Sequence, residues 1–178
     1  MTPFNRDYWI QHITRLVNRD YRPNVKPNYS ILKEQDEDDF VEEDKPNILY
    51  QKVFDATKLP TFKKGKTFSE ILFDFIDKKG IDEVELYQSI DISRALFSKI
   101  RTDDNYRPER KTVYLFIIGM RLNMEEAIEL MKGAGYIFHS GDKTSWVIHH
   151  CIGNGIFNKS IVDDILIHNQ ENPLFSEK

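Results

Sequence analysis

Residues 82–101 read DEVELYQSIDISRALFSKIR, and their spacing decides the fold. Val84, Leu86, Tyr87 and Ile90 recur at helical intervals, and Ile92, Leu96, Phe97 and Ile100 do so again after a short break. Ser93 stands where the second helix needs an N-cap, because a serine hydroxyl accepts a bond from an N–H one turn ahead. The stretch therefore predicts two short helices joined by a tight turn. Arg94, Ala95, Ser98, Lys99 and Arg101 fall on the outer face of the second helix. Such a pair cannot bury both apolar faces alone, so neighbouring segments must complete a core.

The flanks supply it. Thr67 caps a helix with Phe68, Ile71, Leu72, Phe75 and Ile76 inward, Glu70 sits where a capping box needs it, and Gly80 stops the helix. After the loop TDDNYRPERK, Thr112 to Leu122 predicts a strongly apolar helix, although VYLFII within it is β-prone. Asn123 caps a further helix carrying Met124, Ala127, Ile128, Leu130 and Met131, which Gly133 and Gly135 end. Beyond FHSGDKT, two more helices are predicted, through Trp146–Ile152 and Ser160–Leu166, each too short and apolar to stand alone. At the other end, residues 4–19 predict an amphipathic helix with Trp9, Ile13, Leu16 and Val17 on one stripe. That stripe packs on its own domain or docks a partner. The fold class expected is all-α. The division is an N-terminal helix at 1–19, an acidic, Pro- and Asn-containing linker at 20–47, a short helix and basic connector at 48–66, a helical domain at 67–138 and a helical extension at 139–178.

Forty per cent of the 178 residues are apolar and 12% aromatic, enough for a compact core, while the formal net charge of −4 gives no global electrostatic footprint of a nucleic-acid binder. Much of the acidity lies in EQDEDDFVEEDK, a run expected to be solvated, so a local basic face is compatible with the sum. One cysteine, Cys151, excludes an internal disulfide framework and fits a reducing compartment. The start MTPFNRDYWIQH is polar where a signal peptide needs an apolar run, and no stretch approaches the roughly 18 apolar residues of a membrane span. A cytoplasmic protein with no membrane association is expected.

From residue 67 to 131 the order of helices resembles the lambda-repressor-like, Cro-type helix-turn-helix domain. The likeness is carried by Leu86, by Ile92-Ser93-Arg94 at the turn, by Phe97-Ser98-Lys99-Ile100 and by Pro108 to Leu122. The chain is also similar to a bacterial and phage group marked by LFSKIR, Tyr-x-Pro and AGY, here Leu96–Arg101, Tyr106–Pro108 and Ala134–Tyr136. The resemblance spans about residues 67–172. It implies a five-helix core with two added C-terminal helices and an N-terminal helix. Tyr87 and Asp91 replace the alanine and turn glycine of the pattern, and aspartate tolerates a left-handed turn better than most residues. Glu83, between Asp82 and Glu85, replaces a glutamine that would face phosphate.

The resemblance implies that the second helix enters the major groove of double-stranded DNA. Arg94 and Lys99 would donate to guanine acceptors and Ser93 and Ser98 would sit at the same face, while Arg101, Arg107, Arg110 and Lys111 would flank it as phosphate contacts. A non-enzymatic transcriptional regulator, acting as a homodimer, is then the first expectation. The second is a protein-interaction or adapter module on the same scaffold, in a phage–host or defence setting, docking through Trp9, Ile13, Leu16 and Val17. A third possibility has the acidic run folded over residues 94–111 to suppress binding. No metal or cofactor is expected. His149, His150 and Cys151 are adjacent and diverge on a helix, and GKT at 65–67 fails as a phosphate loop because Pro60 takes the place of its first glycine. Asp103-Asp104-Asn105 starts like a calcium loop but lacks the later glycine and glutamate.

Overall fold

The computed structural model describes residues 5–21 and 65–175, apart from Asp104 and Ser140. The short helix expected within 48–59, the acidic run and the lysines at 63 and 64 lie outside the described residues. Among those residues every regular element is an α-helix: α1 (Arg6–Asp20), α2 (Phe68–Lys79), α3 (Glu83–Ser89), α4 (Arg94–Thr102), α5 (Arg110–Gly119), α6 (Met124–Gly133), α7 (Lys143–Gly153) and α8 (Lys159–His168). No described helix is long and apolar enough to cross a membrane.

The helices start where short polar side chains satisfy their first N–H groups. Thr67 Oγ1 accepts from Glu70 N at 3.2 Å while Glu70 Oε2 accepts from Thr67 N at 2.7 Å, and Asn123 and Glu126 form the same box at 3.0 and 2.9 Å. Ser93 Oγ accepts from Leu96 N at 3.1 Å, which starts α4 at Arg94. The ends share another device. After α2, α3, α5, α6, α7 and α8 one residue turns left-handed: Gly80, Asp91, Arg121, Gly135, Gly155 and Gln170. The following N–H then returns to a carbonyl five residues back, as in Ile92 N to Tyr87 O at 2.9 Å and Leu122 N to Ile117 O at 3.0 Å. This reversal ends α5 at Gly119, before the Leu122 that the apolar pattern suggested. It delivers Leu122 into the core as the first apolar residue past the turn.

At the centre lies α5. Val113, Tyr114, Leu115, Phe116, Ile117 and Ile118 are all buried, so the helix has no solvent face and the others must surround it. VYLFII is thus helical in spite of its β-prone composition, since local propensity yields to tertiary context. α2 packs on α6, and α6 on α5 and α7. α1 lies on α7 and α8 with Ile13 and Val17 fully buried and Trp9 and Leu16 half-buried against the same core. Thr14 Oγ1 accepts from Asn169 Nδ2 at 2.9 Å, and Arg6 pairs with Asp164. Of the two expectations for this stripe, packing on its own domain or docking a partner, the structure shows the first. Two of its four side chains have no surface left to offer.

α3 and α4 are held by one ring and one glycine. Phe97 on α4 meets Phe73 of α2 at 5.6 Å, Tyr87 of α3 at 5.4 Å and Phe116 of α5 at 6.2 Å between centroids. The turn after α3 rests on Gly119, where an added Cβ would lie 2.3 Å from Ile90 Cγ2. Ile90 is fully buried and β-branched, so it has little freedom to move aside. Gly119→Ala is expected to cost about 1–3 kcal/mol by overpacking, measured by urea denaturation. Arg121 is exposed and holds φ 51° without being glycine. Arg121→Gly is expected to raise stability by up to about 1 kcal/mol in the same assay, by relieving the left-handed Cβ penalty.

Candidate functional site

The face built by the α3–α4 pair follows from the turn. Asp82 caps α3 by accepting from Glu85 N at 2.8 Å, and Asp91 takes φ 56°. The chain reverses within four residues, and Ile90 and Ile92 enter the core on either side of Asp91. Phe97 and Ile100 anchor α4 inward, which leaves Arg94, Ala95, Ser98, Lys99, Arg101 and Thr102 exposed. Arg94, Ser98 and Arg101 follow one another at intervals of four and three residues and form one stripe.

The eight polar residues expected to contact nucleic acid do not share one condition. Ser93 is occupied as the cap of α4. Arg94, Ser98 and Arg107 are exposed, and Lys99 extends over the Tyr106 ring at 5.2 Å, which brings the loop after α4 alongside its last turn. The other three cations have internal partners. Arg101 pairs with Glu83 and lies 4.5 Å over the Phe73 ring and 6.0 Å from that of Phe97. Arg110 donates to Asp142 Oδ2 at 2.7 Å and stands 5.0 Å over Tyr136. Lys111 Nζ donates to the Pro173 carbonyl at 3.2 Å. Arg110 and Lys111 therefore tie the start of α5 to the C-terminal segments. Spacing alone gave no signal for either bond, because their partners lie 32 and 62 residues away.

The start of α5 is distinctive. Glu109 occupies its N-cap without a side-chain hydrogen bond, unlike the caps of the other described helices. Free N–H groups at a helix start carry partial positive charge, and Arg107, Arg110 and Lys111 stand around this one. Against it stand Asp82, Glu83, Glu85 and Asp91 on the α3 side. The outer face of α4 is thus basic, the loop after it sets Arg107 between Asp103 and Glu109, and the start of α3 is acidic.

The chain matches no family model, no curated protein and no solved structure.

The residues weighed for other chemistry lie in the interior or apart. No group of three or more His, Cys, Asp or Glu residues among the described ones could hold a metal ion. Asn105 N donates to Asp103 Oδ1 at 3.0 Å, a local turn that uses the carboxylate seen in the calcium-like start. Ser145 Oγ bonds Tyr114 Oη at 3.0 Å and accepts from His139 N at 3.1 Å, so its hydroxyl joins α5 and α7. Cys151 is fully buried, and burial pushes its thiol up to about 12. His149 lines a cleft of about 170 Å³ with Phe138, His139, Ser145 and Trp146. His150 stacks on Trp146 at 5.3 Å and lies 3.6 Å from Asp20 of α1.

Burial is the largest influence on both imidazoles and lowers their pKa values. For His150 the neighbouring His149, Arg19 and His12 act in the same direction, and Asp20 opposes them. A base whose folded pKa is lowered contributes stability above its unfolded value, and that contribution is lost as pH falls through it. The urea midpoint is therefore expected to decline as pH drops below about 6.5. A His149→Gln, His150→Gln chain should show a flatter profile over the same interval.

Proposed function

We propose that the protein is a non-enzymatic DNA-binding regulator, with a lambda-repressor-like core formed by α2–α6 and with α4 as the helix that reads the major groove. The observation that carries this reading is the outer face of α4. Arg94, Ser98, Lys99 and Arg101 are exposed along it, while Phe97 and Ile100 fix the opposite face in the core. A helix held across a tight turn, with an exposed arginine at its start, has the form needed to reach base edges. Arg94 is suited to a bidentate contact with guanine, Ser98 to base or phosphate, and Lys99 to a guanine acceptor or phosphate. Arg107 and the uncapped start of α5 add anion-binding character beside them. Most proteins that dock in this way bind as symmetric pairs, and a homodimer is part of the proposal.

The −4 formal charge does not oppose the reading, because the favourable face is local and much of the acidity lies in the run before residue 46. The separate cleft lined by Ile128, Lys132, Tyr136, Ile137, Phe138 and His149 over the buried Met131 is what a protein-docking role would use. Ile137 is 61% exposed there.

The test is a fluorescence-anisotropy titration of the full chain into a mixed DNA pool at two salt concentrations, followed by sequencing of the bound fraction. Binding should weaken steeply with salt, because bound cations release counterions from phosphate. Arg94→Ala and Lys99→Ala should each cost about 1–3 kcal/mol of specific binding with helicity unchanged. Absence of DNA binding at low salt, or unchanged affinity in both variants, would overturn the reading in favour of protein docking.

A further inference from the structure

Arg101 ends the stripe that Arg94 and Ser98 begin, yet its charge is engaged elsewhere. Glu83, the first residue of α3, pairs with it across the motif. The guanidinium also lies over α2, 4.5 Å from the Phe73 ring centre, and 6.0 Å from that of Phe97. Both ends of the pair remain accessible, with side-chain exposures of 49% for Arg101 and 36% for Glu83. The contact is thus a surface contact in competition with solvent and with any anion that approaches α4.

A phosphodiester, with its two non-bridging oxygens, and the Glu83 carboxylate offer Arg101 the same kind of acceptor. Glu83 holds the guanidinium through Nη2, and a phosphate that takes the same N–H groups must displace it. When Glu83 holds the guanidinium, the last turn of α4 keeps the charge of Lys99 while that of Arg101 is offset, and a carboxylate stands where the phosphate backbone would pass. We infer that Glu83 sets the affinity of this site for nucleic-acid phosphate by sequestering Arg101, so that Arg101 does not act among the phosphate-binding cations of the wild-type chain. The inference rests on the DNA-binding reading above and concerns the strength of that same site. Glu85 provides the comparison. It carries the same charge on the same helix, is exposed, and has no ion pair among the described residues. Its removal changes the local field without releasing a cation.

The experiment measures binding of a random-sequence DNA duplex by anisotropy across a salt series for the full chain and for Glu83→Gln, Glu85→Gln, Arg101→Ala and the double variant Glu83→Gln, Arg101→Ala. Circular dichroism establishes that each remains helical. Glu83→Gln should tighten binding roughly threefold to tenfold at low salt and steepen the logarithmic salt slope by about one. Glu85→Gln should tighten binding less and leave the slope unchanged. Arg101→Ala alone should change affinity by less than about twofold, and in the double variant the gain and the extra slope should vanish.

Equal effects of Glu83→Gln and Glu85→Gln would overturn the inference, because a general field effect would then suffice. So would a gain that survives in the double variant. Wild-type binding that Glu83→Gln leaves unchanged overturns the inference and spares the DNA-binding reading. No binding by the wild type or by Glu83→Gln removes both.

Discussion

A helix with six consecutive buried side chains has no face to turn toward water, and α5 imposes that condition on everything around it. α6 packs directly on α5, the rings of Phe68 and Phe97 reach Phe116 from α2 and α4, and the turn after α3 rests on Gly119. The exposed face of α4 is the other side of that arrangement. Phe97 meets rings from three neighbours, and the aromatic contacts that bury it fix which residues of the same short helix face outward. The exposed face of this nine-residue helix is in this sense positioned by the ring it hides.

Much of the architecture was legible because apolar periodicity and polar caps agreed. Thr67 with Glu70, Ser93 and Asn123 announced three helix starts, and the structure has each at that position. Gly80 announced an end for the same reason. Arg121 and Gln170 did not, since arginine and glutamine carry none of the left-handed preference that marks glycine and, at Asp91, aspartate. The helix through Thr112 was consequently drawn too long. The β-prone run inside it has the length of a buried strand and is helical because its surroundings are.

The candidate site was legible in outline and not in its pairings. The outward set Arg94, Ala95, Ser98, Lys99 and Arg101 follows from helical spacing alone, because the inward set at Phe97 and Ile100 leaves no other orientation. Which cations are already engaged does not follow, because the partners of Arg110 and Lys111 come from distant segments that only the fold brings near. Glu83 was visible as a carboxylate at an awkward place for phosphate. Its link to Arg101 needed the angle between two helices. The N-terminal stripe shows the same limit: four residues share a face, and nothing in their spacing told that α7 and α8 would cover it.

The lone cysteine gives the molecule an internal reporter. Cys151 sits at zero exposure on α7, in the layer that α7 forms with α1, α6 and α8, and burial pushes its thiol up to about 12. A thiol-directed reagent cannot reach it while those helices are seated, and thiolate is the reactive form. The rate at which the native chain takes up such a reagent is therefore a clock for separation of that layer. It counts openings of one specific part of the fold without any change to the sequence.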